Sequence, residues 1–297
     1  MSRVSPARLL HFDDERTAAR RLARAAGIEA ALVARHRFPD GELKVTLPAR
    51  LPRRVALFRS LHDPNEKLVE LLLAAGAARD LGVRHLTLVA PYLAYMRQDA
   101  AFSPGESVSQ HHVCTLLDAL FDRVITVDPH LHRVSSLADL ITDADAVALT
   151  AAPVIGAFLA RRARGALLLG PDAESAQWVQ AAAAAAGLDW AVARKTRRGD
   201  RRVTIALPDV PLRGRRVVVV DDMITTGRTL AEAARRLRAA GVSRVDVAAT
   251  HALFAAGAAE ALGRAGVSAV WTTDAVPHAT NAIPLAPLVA AALDAHV

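Results

Sequence analysis

The segment RRVVVVDDMITTGRTL at 215–230 concentrates the residue types that hold a phosphorylated sugar. Four valines spell a buried parallel strand, and two adjacent acids, Asp221 and Asp222, stand at its end. Met-Ile-Thr-Thr-Gly-Arg-Thr follows and leads into a helix. Gly227 lets the backbone turn and come close to a ligand. The amides of the loop and the helix N-terminus make a seat for an anion. Thr225, Thr226 and Thr229 add hydroxyl donors, with Arg228 among them. Paired acids suit vicinal hydroxyls, so a phosphate seat beside a diol seat fits ribose 5-phosphate. A plain strand-to-helix turn with a threonine cap would explain the acids or the Thr-Gly alone, but not the whole constellation. The segment is neither a GxxxxGK[ST] loop nor a GxGxxG fingerprint.

Other segments carry chemistry of the same kind. RFPDGELKV at 37–45 puts Phe38, Asp40, Gly41 and Glu42 in a turn after a strand, and on its own could be an ordinary PDG turn. APYLAYMRQD at 90–99 ends in Arg97, Gln98 and Asp99; the arginine can fork onto a phosphate, and the glutamine can read a base or ribose edge. TVDPHLH at 126–132 sets Asp128 and His130 at a strand end, where a lone histidine is more often a hydrogen-bonding residue than a ligand. Asp172 follows a strand in GPD, with helix N-capping as the competing role. KTRRGDRR at 195–202 reads as a basic hairpin around Gly199.

The elements that position these segments alternate. Strands are expected at 9–12, ALVARHRF, 55–61, HLTLVAP, RVITVD, 166–171, WAVARK, RVTIAL, RRVVVVDD, 244–250 and 267–273. Helices are expected over 14–26, 65–80, 108–121, 173–187, 228–240 and 255–264. In 65–80, Leu68, Leu71, Leu72 and Ala75 share one face by their spacing. Alternation of this length predicts an α/β protein with mainly parallel sheets covered on both faces, and sites beyond the carboxyl ends of the strands. The least regular stretch, ITDADAVALTAAP at 141–153, marks the expected boundary, with domains of 1–147 and 148–297.

The bulk numbers narrow the function classes. The 297 residues are 52% hydrophobic and only 4% aromatic, so the cores are aliphatic. No apolar run reaches the length of a membrane span, MSRVSPARLLHF has no signal-peptide pattern, and a single cysteine excludes a disulfide framework; a cytoplasmic home is expected. Cys114, on a predicted helix, reads as a core residue. The net charge of +7 comes from scattered arginines without aromatic interleaving, which fits an anionic substrate better than nucleic acid.

In this order and spacing, the segments resemble the FxDGE, PYxxYxRQD, DxH, SPD, basic-loop and VDDxxxTGxT motifs of the ribose-phosphate pyrophosphokinases, over nearly the whole chain. The resemblance implies two stacked phosphoribosyltransferase-like domains with the active site between them. It implies transfer of the β,γ-diphosphate of ATP to the C1 hydroxyl of ribose 5-phosphate, with Mg2+, in a homo-oligomer of at least a dimer, commonly a hexamer. ATP would lie on Phe38, Asp40, Gly41 and Glu42 of a neighbouring subunit and on Arg97, Gln98 and Asp99. Ribose 5-phosphate would lie on Arg197, Asp221, Asp222 and Thr225, Thr226, Gly227, Arg228 and Thr229. Metal would sit at His130 and Asp172, with Asp128 a further candidate, and Lys195 and Arg197 would be catalytic. His111, His112 and His132 receive no role. Where the family has a lysine- and arginine-rich stretch after RQD, this chain reads AAFSPGESVSQHH, so control by phosphate or a nucleoside diphosphate at this loop is not expected. AESAQWV replaces the usual glycines after Asp172, DPHLHR replaces DLHxxQ, and KTR resembles short-loop archaeal variants. A regulatory homologue would have lost catalytic residues that this chain keeps, and a phosphoribosyltransferase would lack the PDGE and RQD segments.

Overall fold

Runs such as HLTLVA, RVITV and RVVVV are mostly apolar and are buried at nearly every position, as a strand covered by helices on both faces requires. The computed structural model describes residues 6–131, 133–198 and 202–294, without the side chains of 195–198 and 202–204. It divides into two compact units, residues 1–149 with 285–297, and residues 150–284.

The first unit contains β1 (Arg8–His11), α1 (Arg16–Ala25), β2 (Glu29–Leu32), β3 (Ala34–Arg37), β4 (Leu43–Thr46), β5 (Arg54–Phe58), α2 (Pro64–Asp80), β6 (His85–Ala90), α3 (Ser109–Leu120), β7 (Arg123–Val127) and β8 (Asp145–Leu149). Its six-stranded parallel sheet has the order β2-β1-β5-β6-β7-β8, and β3 and β4 form a separate antiparallel hairpin. The second unit contains α4 (Ala152–Arg162), β9 (Leu167–Gly170), α5 (Ala176–Ala186), β10 (Trp190–Val192), β11 (Arg194–Arg198), β12 (Arg202–Ala206), β13 (Arg216–Ile224), α6 (Arg228–Ala239), β14 (Arg244–Ala252), α7 (Ala258–Arg264), β15 (Val267–Thr273) and β16 (Asn281–Ile283). Its sheet has the order β10-β9-β13-β14-β15-β16, all parallel, with β11 and β12 as an antiparallel hairpin. The chain ends in α8 (Ala286–Asp294), which packs on α1 and so belongs to the first unit rather than the second half.

The two orders are the same pattern. In each sheet the chain goes outward from one strand, then returns to that strand's other side, leaving a switch point between β1 and β5 and between β9 and β13. Ligand crevices of open α/β sheets form at that place.

Four expectations need correction. Neither ALVARHRF nor WAVARK is one strand: β2 ends at Leu32 and β10 at Val192, while β3 and β11 leave the sheets for the hairpins. The stretch 141–153 is not irregular, because it holds β8, the edge strand of the first sheet. In α2, Leu72 faces outward at 47% exposure. The buried side of α2 is Lys67, Glu70, Leu71, Ala74, Ala75 and Ala78, because a charge network claims part of it. Strand β13 runs on to Ile224, two residues further than expected, so Asp221 and Asp222 lie inside the strand rather than at its end.

Candidate active site

In the second unit, β9 and β13 are neighbours, so the loop after Gly170 and the segment through Gly227 meet at one carboxyl edge, on the switch point. A Cβ on Gly170 would stand 2.5 Å from Ser175 Oγ. With glycine there, that hydroxyl donates to the Asp172 carbonyl at 2.6 Å, while Asp172 Oδ1 accepts from the Ser175 N–H at 3.2 Å. Asp172 thus braces the turn that leads into α5, whose N-cap is Ser175. Successive strand residues face opposite ways: Asp222 is 4% exposed, whereas Asp221 is half-buried. The two acids therefore face opposite ways, and Asp221 is the more accessible of them. Thr225, Thr226, Arg228 and Thr229 are exposed or half-buried around the N-terminus of α6, and Gly227, at φ 67°, is its N-cap. The twelve-residue α6 directs its first free N–H groups at this loop.

In the first unit, β6 and β7 are neighbours and bring Arg97–Asp99 and Asp128–His130 to one edge. The Val127 N–H donates to the Pro91 carbonyl at 3.2 Å, and Arg133 Nε lies 3.5 Å from Asp99 Oδ1, tying the two loops. Tyr95 at φ 64° and Asp128 at φ 41° are non-glycine residues in the left-handed region, a cost that gathers at working edges. Asp128 is buried, Arg97 is exposed and Gln98 and His130 are half-buried. Residues 38–42 close the β3–β4 hairpin: the Phe38 N–H donates to the Glu42 carbonyl at 2.8 Å and the Glu42 N–H to Asp40 Oδ1 at 3.1 Å, with Gly41 at φ 98°. Phe38 is 40% exposed, edge-on to His36. Arg35 ties the hairpin to Glu70 at 2.7 Å and Asp13 at 2.5 Å, and Arg37 pairs with Glu66.

The switch point of the first unit is filled rather than open. Arg59, just past β5 and 1% exposed, meets Glu15 at 3.0 Å, Asp14 at 2.7 Å and Glu70, and its guanidinium lies 4.5 Å from the Phe12 ring. Lys67 donates to the Ser60 carbonyl at 2.7 Å and reaches the His62 ring at 3.1 Å. Burial pushes the Glu15 carboxyl up against the pull of Arg59, and pulls Lys67 down to about 8. Burial, then the Lys67 charge, brings His62 down to about 4 from 6.5. Between those values the unfolded chain holds a proton that the folded one does not, so stability is flat above 6.5 and falls as pH drops toward 4. His62→Leu is expected to flatten that limb of the thermal midpoint against pH, followed by tyrosine absorbance; an unchanged slope would assign it to other groups.

Lys195 and Arg197 lie on β11, their backbones opposite Ile205 and Val203, but their side chains, Gly199 and His132 lie outside the described residues. Among the described residues, no three His, Cys, Asp or Glu side chains cluster to hold a metal, and His130 and Asp172 belong to different units. Magnesium bound through substrate phosphates needs only one or two protein oxygens, and a single carboxylate such as Asp172 after β9 meets that need. No helix among the described residues is long and apolar enough to cross a membrane.

Residues 7–120 match the family model described as the N-terminal domain of ribose phosphate pyrophosphokinase, and residues 153–294 match the phosphoribosyl transferase domain. The chain is 37% identical over 278 residues to the ribose-phosphate pyrophosphokinase of Methanopyrus kandleri, covering 93% of this chain and 94% of that one. The chain belongs to the ribose-phosphate pyrophosphokinase family. Ribose-phosphate pyrophosphokinase 2 of Archaeoglobus fulgidus is 35% identical over 272 residues, covering 92% and 94% of the two chains. Phosphoribosylpyrophosphate synthetase of Mycobacterium smegmatis superposes with a TM-score of 0.81 at 23% identity, covering 96% of this chain and 97% of that one, and so shares its fold of two phosphoribosyltransferase-like domains. Archaeal relatives accord with the archaeal-type KTR segment.

As a pyrophosphokinase-family chain it also holds residues that motif reading passed over. Ser175 was readable from Gly170, the glycine that opens GPD. Arg35 and Arg37 were readable only as two charges on an exposed strand, because their partners on α2 are about 30 residues away.

Proposed function

We propose that this chain transfers the β,γ-diphosphate of ATP to ribose 5-phosphate, giving 5-phosphoribosyl 1-pyrophosphate and AMP. The C1 hydroxyl oxygen attacks the β-phosphorus; the bond from that phosphorus to the α,β-bridging oxygen breaks, AMP leaves with its electron pair, and the hydroxyl proton passes to solvent. The observation that carries the reading is two sheets of one order in one chain, with the sugar-phosphate segment at the switch point of one and the Arg97–Asp99 and Asp128–His130 segments at the carboxyl edge of the other.

Thr225, Thr226, Gly227, Arg228 and Thr229 hold the 5-phosphate, and Asp221 takes a ribose hydroxyl. Asp222 shapes the strand from behind. Phe38, Asp40, Gly41 and Glu42 of one subunit, with Arg97, Gln98 and Asp99 of another, hold ATP in a homo-oligomer. Lys195 and Arg197 neutralise charge on the group in flight, since diphosphoryl transfer needs placement and electrostatics rather than a covalent intermediate. Bound Mg2+ would neutralise phosphate oxygens, with His130, Asp172 and Asp128 as its candidate protein contacts. The reaction belongs to the cytoplasm, where ATP is made.

Incubation with ATP, Mg2+ and ribose 5-phosphate is expected to yield AMP, only when the sugar phosphate is present and not after EDTA. ADP in its place would sink the diphosphate reading, and no product from folded oligomer would leave the regulatory role.

A further inference from the structure

We propose that Phe254 and His278 are a positioning pair that aims the amides of the phosphate loop; this rests on reading residues 225–229 as the seat of the 5-phosphate. Phe254 follows β14 on the same carboxyl edge as that loop and has φ 28°, a left-handed backbone that a bulky side chain resists. Such a residue persists only where its surroundings over-determine it, and such residues gather at ligand clamps.

Two sets of contacts do so. Along the backbone, the N–H groups of Leu253 and Phe254 donate to the Ile224 carbonyl at 3.0 and 2.8 Å, and the Ala255 N–H donates to the Thr225 carbonyl at 2.8 Å. A peptide unit is planar and trans, so fixing a carbonyl fixes the N–H on its other side. The Ile224 carbonyl shares its plane with the Thr225 N–H, and the Thr225 carbonyl with the Thr226 N–H. The turn at Phe254 therefore sets the direction of the first two loop amides.

Through the side chains, the Phe254 ring lies parallel to the His278 ring, with centroids 4.2 Å apart and 5° between planes. His278 is fixed in turn: its Nδ1 accepts from the Thr280 N–H at 3.2 Å and sits 2.8 Å from Thr280 Oγ1, and its backbone N–H donates to Asn281 Oδ1 at 2.9 Å. The Asn281 amide donates to Thr272 Oγ1 at 3.0 Å and to the Thr273 carbonyl at 2.5 Å. The rigid end of β15 thus reaches the phosphate loop through one stacked pair, and neither ring needs to touch substrate.

Removing either ring should loosen the loop without disturbing the nucleotide. His278→Ala and Phe254→Ala are each expected to raise KM for ribose 5-phosphate about tenfold, the size of a lost aromatic contact, with KM for ATP unchanged within about twofold on the same scale. His278→Phe keeps the stack but not the Nδ1 bonds to Thr280, so its KM for ribose 5-phosphate should fall between wild type and His278→Ala. Direct binding of ribose 5-phosphate to the full-length protein by calorimetry should show the same loss. Parallel shifts in both KM values, or none, would overturn the proposal. If Phe254→Ala does not fold, His278→Ala decides alone, since it leaves the strained backbone intact. Wild-type protein that binds no ribose 5-phosphate would overturn the loop reading and the proposal with it, whereas variants matching a wild type that does bind would overturn the proposal only.

Discussion

Gly227→Val is expected to lower kcat/KM for ribose 5-phosphate by about 100-fold, the order that a displacement near 1 Å brings in a positioned site. Gly227 holds φ 67°, which a β-branched residue strongly resists. A Cβ there would also stand 3.3 Å from the Ala258 carbonyl oxygen and 3.5 Å from Leu262 Cγ, both on α7. Backbone and helix side chain give way less easily than a loop, so the loop moves. Its amides are what the 5-phosphate would bind, so KM for ribose 5-phosphate carries most of the loss. Gly263→Ala is the matched control: that glycine has no positive φ and nothing within 4 Å of an added Cβ, so it should be neutral or slightly stabilising. Initial rates of AMP formation, with circular dichroism to confirm folding, decide the matter. A folded Gly227→Val protein with wild-type KM would remove the loop from the phosphate seat.

The features legible in the sequence were those encoded in consecutive residues. Apolar runs bounded by turns marked the strands, and the 225–229 loop was visible because strand, threonines, glycine and helix follow one another directly. Pairing across the sheet is different. Nothing in VVVVDDMI shows that β14 continues opposite Met223 and Ile224, so the strand was read as ending at the acids when it runs two residues further. The outward Leu72 has the same origin: spacing marks it apolar, yet Glu70 and Lys67 take the inner face because Arg59 and Glu15, distant in the chain, await them. The stacking of Phe254 on His278, 24 positions apart, had no signal in either segment. The return of α8 to the first unit was hidden because an apolar helix after a strand suits either sheet.

Arg59→Leu is expected to destabilise the first unit by about 3–5 kcal/mol, the cost of stranding a buried partner charge. Leucine fits the apolar side of the site against Phe12, but it leaves Glu15 and Glu70 facing one another's field with only Arg35, Lys67 and backbone donors to answer it. The defect should depend on pH. Burial already raises Glu15 in the folded state, and losing Arg59 raises it further. A carboxyl whose folded value is raised binds its proton more tightly when folded. Stability is then highest at low pH and falls as pH rises from the ordinary carboxylate range to the raised value. The gap between Arg59→Leu and wild type should therefore be largest near neutrality and narrow on acidification toward pH 5, as expected of a carboxylate near its ordinary range. Adding Glu15→Gln and Glu70→Gln to Arg59→Leu should recover much of it, since removing all members of a buried ion cluster costs far less than removing one. The two units can be followed separately, because Tyr92 and Tyr95 are the only tyrosines and lie in the first, while Trp178, Trp190 and Trp271 lie in the second. A tyrosine-reported urea transition that shifts while the tryptophan-reported one holds would place the defect at β5. An equal shift at pH 5 and pH 7 would assign the loss to packing against Phe12, and the switch point of the first unit would then be filled for volume rather than for charge.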